Sequence, residues 1–246
     1  MDYKKALYKQ LSLDFGVSPE DIASGENLFV PSAALPGRRL YKSDGCILRI
    51  LGIGGKTVMS CADAVLLDRL KNEFSDIDGA WIGEVENLMK IDALLRPMGH
   101  AIADAHHFYI PSKFDPMLKA PADILWLERF ELERFRGDER FTEALCFSDD
   151  RPDMLAVAAV GGNEILGMAG ASADSPDAWQ IGIDVLPQAS GKGIGTYLTR
   201  LLKNEVISRG YLPFYGTVES HITSSRVALA AGFVPAWWEL YTARLP

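Results

Sequence analysis

The sequence predicts an α/β chain in two parts, an N-terminal α/β domain over residues 1–115 and a larger domain over residues 122–246. Three observations carry this. Segments with apolar residues at every second position interleave with segments of helical spacing along the whole chain. Prolines cluster between Pro111 and Pro121, where the chain links its two halves. The sharpest signal is the run Val185-Leu186-Pro187-Gln188-Ala189-Ser190-Gly191-Lys192-Gly193-Ile194-Gly195-Thr196, which reads as a strand end, a glycine-rich turn and a helix start.

In chain order, Leu7 to Phe15 reads as a short amphipathic helix. Cys46 to Leu51, Gly52 to Gly55 and Lys56 to Ser60 read as a hairpin. Gly54-Gly55-Lys56-Thr57 is no phosphate loop, because the first glycine of that pattern would fall on Ile50. Asp63 to Phe74 is a helix, and Glu84 to Leu95 another, with Val85, Leu88, Ile91, Leu94 and Leu95 on one face until Pro97-Met98-Gly99 ends it. In the second half, Asp123 to Phe130 is a strand and Glu131 to Cys146 supplies one or two short helices. Met154 to Val160 and Glu164 to Ser172 pair across the turn Gly161-Gly162-Asn163. Trp179 to Leu186 is the strand before the glycine-rich turn, and Pro187 ends it. Tyr197, Leu198, Leu201, Leu202 and Val206 continue at helical spacing, with Gly210 as the stop. Leu212 to Val218 is the next strand, and a second short helix follows His221.

The glycine-rich turn points to chemistry. Gly191, Gly193 and Gly195 let the backbone turn tightly, and the free amides of a helix's first turn then face an anion, most plausibly a pyrophosphate. A dinucleotide fingerprint would need glycine at position 198, which is Leu198. A phosphate loop would need Ser or Thr after Lys192, where Gly193 stands. What remains, V-x-P-x-x-x-G-x-G-x-G, resembles the coenzyme-A loop of the GNAT superfamily of acyl-CoA N-acyltransferases. A second segment, His221-Ile222-Thr223-Ser224-Ser225-Arg226-Val227-Ala228-Leu229-Ala230-Ala231-Gly232-Phe233, is similar to that family's later motif N-x-x-S-x-R-V-A-x-x-x-G-F.

The resemblance covers roughly Ala122 to Tyr241. It implies a mixed central sheet flanked by helices, with acetyl-CoA or a longer acyl-CoA in a splay between the central strand and the strand after the loop helix. It implies that backbone near Ile183, Asp184 and Val185 pairs with the pantetheine arm. It likewise implies that Ser190, Gly191, Lys192, Gly193, Ile194, Gly195 and Thr196 surround the pyrophosphate, with Ser224 close to the coenzyme. The implied chemistry is direct attack by an amine, with a general base and a backbone N–H that polarises the thioester carbonyl.

Three positions depart from the family pattern. Ser190 stands where Arg or Gln is usual, His221 replaces the asparagine, and Ala228 occupies the place of a tyrosine that protonates the leaving thiolate in many relatives. The position of the usual strand-borne glutamate is Gln180, which cannot act as a base. Glu219, at the end of the next strand, is the first carboxylate candidate, and His221 the imidazole candidate. Asp184 has suitable chemistry but alternates away from Ile183 and Val185. Of His106-His107, at most one can enter a site. Only one strand, Trp237 to Arg244, fits after Phe233, so a missing neighbour strand or cover is expected from the N-terminal half or a second subunit. The N-terminal half carries no repeated motif, and a degenerate second copy of the fold stays open there.

Composition bounds the rest. The chain has 246 residues, 48% of them hydrophobic, and a net charge of -8. That charge argues against a nucleic-acid partner. No apolar run is long enough to span a bilayer, and the N-terminus lacks a signal-peptide core. Cys46, Cys61 and Cys146 show neither zinc spacing nor a disulfide framework and read as small buried residues in a reducing cytoplasm. The expectation is a cytoplasmic, metal-free N-acetyltransferase using acetyl-CoA on a small-molecule or peptide amine, with a homodimer left open. The alternative is a catalytically silent acyl-CoA-binding sensor or scaffold module.

Overall fold

Each period in the sequence resolves into an element of a computed structural model that describes residues 1–40, 45–114, 116 and 119–245. The N-terminal elements are α1 (Tyr3–Phe15), α2 (Pro19–Ala23), β1 (Leu28–Pro31), β2 (Leu48–Ile53), β3 (Lys56–Cys61), α3 (Ala64–Phe74), α4 (Val85–Leu95) and β4 (His100–Pro111). There follow β5 (Asp123–Glu128), α5 (Arg129–Leu132), β6 (Asp153–Gly161), β7 (Glu164–Ala173), β8 (Ala178–Val185), α6 (Ile194–Ser208), β9 (Leu212–Val218), α7 (Ile222–Ala230) and β10 (Phe233–Arg244). Two compact units emerge, one of Lys4–Phe108 with Ala236–Pro246, the other of Met1–Tyr3 with Tyr109–Pro235.

In the first unit, β2 and β3 form an antiparallel hairpin turned by Gly54 and Gly55, both left-handed. β1 runs parallel to β3. On the other side β10 pairs antiparallel with β2, from Trp238↔Gly52 to Tyr241↔Arg49. The neighbour strand for the chain's last strand thus comes from the N-terminal half. Asp63 accepts the Leu66 amide and starts α3, as an N-cap should. Leu66, Leu70 and Phe74 of α3 and Ile91 and Leu95 of α4 close over Leu48, Ile50 and Met59. Val85 corrects the expected apolar face of α4: it is 72% exposed. Lys56, beside the double glycine, is buried, and its ammonium donates to the Asp21 carbonyl and the Ser24 hydroxyl. That lysine ties the hairpin to α2, a structural use that fits the rejected phosphate-loop reading.

A buried charge cluster also holds this unit. Arg39 donates to Asp14 at 2.5 Å and to Glu239, and Arg49 reaches Glu239 at 3.4 Å. The Trp237 indole donates to Glu239 at 2.5 Å, and its ring stacks on Phe108 at 4.8 Å. The pair Trp237-Trp238 therefore packs within the unit, Trp238 against the α3–α4 core. The cysteines divide: Cys61 is buried, Cys46 half-buried and Cys146 exposed, so the expectation of three buried thiols fails at Cys146, which lies in the irregular segment before β6.

In the second unit, β5, β6, β7 and β8 form antiparallel neighbours, and β9 joins β8 in parallel, giving a mixed sheet. Alternation in β6 gives the sheet two cores. Leu155, Val157 and Ala159 face α6, where Leu198, Leu202 and Val206 are fully buried. Ala156 and Ala158 face the opposite side, covered by Leu132, Phe135, Phe141 and Leu145 from the segment between β5 and β6. Each core buries many apolar side chains at about 1.5–3 kcal/mol apiece. The sequence reading missed β1 and α2, which are short and carry little periodicity.

Candidate functional site

The site begins where a strand pair stops. β8 is laddered to β7 from Trp179↔Ala173 to Val185↔Gly167. To β9 it is laddered only from Ala178↔Leu212 to Ile181↔Tyr215, although β8 runs on to Val185 and β9 to Val218. Past Ile181 and Tyr215 the two parallel strands part, and each presents a main-chain edge without a ladder partner on that side. An extended ligand can add to such an edge as a strand would.

The glycine-rich turn stands at the end of β8. A short turn, Pro187–Ala189, leads to exposed Ser190, then to Gly191 and Gly193 with φ of 75° and 77°. Gly193 is the N-cap of α6 and makes no side-chain cap bond. The first intrahelical bond runs from the Tyr197 amide to the Gly193 carbonyl, so the amides of Ile194, Gly195 and Thr196 precede the helical ladder. The positive end of a 15-residue helix lies behind them. A side chain added at Gly193 would enter open space, while one at Gly195 would come within 3.2 Å of Val185. Ile183 and Val185 pack into the α6 core, which seats the helix start against the strand end. Lys192 is exposed and donates to the Gln188 carbonyl at 3.0 Å.

The other face of β8 is covered closely. A Cβ on Gly182 would overlap the Glu143 carbonyl oxygen and lie 2.8 Å from its carbon, and one on Gly170 would lie 2.9 Å from the Ala144 carbonyl carbon. Only glycine admits a main chain so near. Asp184 fixes that crossing segment: one carboxylate oxygen accepts the amides of Glu143 and Ala144, both at 2.9 Å. Burial pushes the Asp184 carboxyl upward, the two amides hold it back, and the nearby Glu143 charge adds to the rise. The Asp184 side chain therefore serves the segment at 143–144.

Tyr215, at the last rung of the β8–β9 ladder, is buried, and its hydroxyl meets the Ser224 hydroxyl of α7 at 2.8 Å. Its ring packs edge-on against Tyr109, 6.5 Å away. Burial pushes the phenol pKa up; the Ser224 bond opposes this, and the charges of Glu143 and Asp184 reinforce it. Ala228 is fully buried in the α6 core.

Glu219 and His221 both stand exposed on the turn between β9 and α7. The His221 amide donates to the Val218 carbonyl at 3.1 Å, and its side chain makes no cap bond to α7. His106 and His107 lie on β4, where the His106 ring is 3.5 Å from Asp104. The structure places the sequence candidates Ser190 to Thr196 at the start of α6, Ile183 to Val185 on β8 past its last rung with β9, and Ser224 on α7 against the Tyr215 hydroxyl. Glu143 and Tyr215, which lie beside them, were not among the candidates. The available signal was Gly170 and Gly182 inside two strands, where side-chain-free positions mark a close backbone approach. Among the described residues no group of three or more His, Cys, Asp or Glu is arranged to hold a metal ion, and no helix is long and apolar enough to cross a membrane.

Comparison with known proteins follows the same half of the chain. Residues 119–233 match the model of the Acetyltransferase (GNAT) family. No curated protein matches the chain. Among solved structures, an acetyltransferase of the GNAT family from Colwellia psychrerythraea is 13% identical, with 63% of this chain and 62% of that one aligned at a TM-score of 0.44. A GCN5-related N-acetyltransferase-like protein from Streptococcus suis is 16% identical over 67% of this chain and 74% of its own, at a TM-score of 0.44. A tandem GNAT protein from the clavulanic acid biosynthesis pathway is 16% identical over 62% of this chain and 57% of its own, at 0.46. The chain thus spans less than two thirds of the length of the first and third of these.

Proposed function

We propose that this chain, whose residues 119–233 carry a GNAT-family acetyltransferase domain, transfers an acetyl group from acetyl-CoA to a primary amine by direct attack. The observation that carries the reading is the end of the β8–β9 ladder at Ile181↔Tyr215, directly before a glycine-rich turn and an uncapped helix start. A long, thin molecule with a diphosphate at one end and an amide-bearing arm at the other matches both features. The amides of Ile194, Gly195 and Thr196 hold the diphosphate, and the free edge of Gly182 to Val185 takes the arm. A backbone N–H near Val185 then lies where the thioester carbonyl needs a donor as its oxygen becomes anionic. The acceptor is a small-molecule or peptide amine, met in the cytoplasm, where the free thiols Cys46, Cys61 and Cys146 stay reduced.

Two residues favour a second reading, a module that binds acyl-CoA without turnover: Gln180 has no basic carboxylate, and Ala228 is buried without a proton to give. Thiol release from acetyl-CoA with a panel of primary amines separates the two. Amine-dependent release supports the transferase. Saturable acetyl-CoA binding with no amine giving release supports the silent module instead.

A further inference from the structure

We propose that Glu143 is the general base of this site, the carboxylate that removes the proton from the acceptor's ammonium group; the assignment rests on the acyltransferase reading above. The segment that carries Glu143 is fixed in place. Its carbonyl oxygen sits on Gly182, the first β8 residue beyond the last rung shared with β9, and its amide is bound by Asp184. Glu143 is therefore held at the level where the two strands part. Its side chain is exposed. Asp184 binds the Glu143 amide, and the Glu143 charge adds to the upward shift of both the Asp184 carboxyl on β8 and the Tyr215 phenol on β9.

The neighbouring groups have other roles. The Asp184 oxygen accepts two amides. Tyr215 is held protonated by burial and bonded to Ser224, so it has a proton to give rather than a site to receive one. Gln180 has no basic atom, and Glu219 and His221 stand four and six residues past Tyr215, the last β9 residue on the shared ladder. Glu143 is left as the carboxyl group that an incoming amine meets at the splay, and a carboxylate there favours an acceptor arriving as a cation.

The step balances as follows. The Glu143 carboxylate takes one proton from the ammonium and later passes it to water. The freed nitrogen lone pair forms the C–N bond at the thioester carbon, whose π pair moves to oxygen. When that pair returns, the C–S bond breaks and the sulfur leaves with its electrons. The second nitrogen proton is lost as the amide forms, and the thiolate takes up a proton, giving amide, free thiol and one proton to solvent.

The test is steady-state kinetics of Glu143→Gln over a pH range with acetyl-CoA and two kinds of amine probe, strongly basic tyramine and spermidine and weakly basic hydroxylamine. The assignment predicts that kcat/KM for tyramine or spermidine falls about 10²–10³-fold. It also predicts that the loss shrinks as pH rises toward the amine's own pKa, and that hydroxylamine, which arrives neutral, is acetylated at a rate close to wild type. Acetyl-CoA binding by calorimetry stays as in wild type, and Glu164→Gln, at an exposed glutamate that begins β7, behaves as wild type throughout. Equal losses for basic and weakly basic amines, or an unchanged kcat/KM for tyramine and spermidine, would overturn the assignment while leaving the acyltransferase reading intact. A wild-type protein that binds acetyl-CoA but acetylates none of these amines would overturn that reading and the assignment with it.

Discussion

Gly182→Ala is a one-methyl change that strikes the closest contact in the site. The new Cβ would overlap the Glu143 carbonyl oxygen and lie 2.8 Å from its carbonyl carbon and 3.3 Å from the Ala144 Cα. Carbon atoms rest about 3.5–4.0 Å apart, so the segment has to lift by roughly an ångström. Lifting it draws the Glu143 and Ala144 amides off the Asp184 carboxylate, where each now sits at 2.9 Å. Hydrogen bonds to a charged group contribute about 1.5–3 kcal/mol each, and forcing extra volume into a packed site costs about 1–3 kcal/mol. Partial relaxation tempers the sum, so the expected loss of stability is about 3 kcal/mol. Urea unfolding followed by circular dichroism measures it, with Gly25→Ala as the control. Gly25 has no atom within 4 Å of a built Cβ and no positive φ, so its variant should stay within about 0.5 kcal/mol of wild type. Because the displaced segment carries Glu143, kcat/KM should fall as well. Gly182→Ala unfolding at the same urea concentration as Gly25→Ala would refute the packing argument.

Two further outcomes follow from the same geometry. Glu239 is fully buried, which pushes its carboxyl up, but Arg39, Arg49 and the Trp237 indole together hold it below its ordinary 4.5. A lowered folded pKa stabilises above the unfolded value and loses that contribution as pH falls through the folded one. Glu239→Gln should therefore cost about 3–5 kcal/mol at pH 7, by leaving Arg39 and Arg49 short of a counter-charge, and should flatten the stability curve below about pH 4.5. Acid titration of urea midpoints reads both, and an unchanged acid limb would count against the cluster. Tyr215→Phe removes the 2.8 Å bond to Ser224 and should cost about 0.5–1.5 kcal/mol. If this hydroxyl protonates the leaving thiolate, kcat falls at least tenfold while acetyl-CoA affinity holds; an unchanged kcat assigns that proton to water.

The sequence was legible where one strong local constraint acts. Proline, three glycines and a helical apolar stripe left β8, the turn and α6 little choice, and Asp63 and Glu84 marked the starts of α3 and α4. It was least legible where a residue's role depends on a distant partner. Nothing near Glu143 in sequence says that its carbonyl rests on Gly182 or that Asp184 binds its amide. Nothing in the strand from Leu212 to Val218 singles out Tyr215, whose hydroxyl meets Ser224, nine residues on, only in the fold. Val85 shows the converse: helical spacing counted it with the core, but its position at the first turn of α4 leaves it in water. The parting of β8 and β9 has no local sequence signature, because the two strands keep their alternation after the ladder ends.

The most direct test of the whole account is calorimetric titration of acetyl-CoA into the wild-type protein and into Gly193→Glu. Gly193 has φ of 77° and open space before it, so a glutamate there strains the turn by about 1–2 kcal/mol and sets a carboxylate in front of the amides of Ile194, Gly195 and Thr196. The account predicts saturable binding by the wild type and its loss in the variant, with both proteins folded by circular dichroism. Equal binding by both would remove the glycine turn from the site, and no binding by a folded wild type would contradict the coenzyme reading itself.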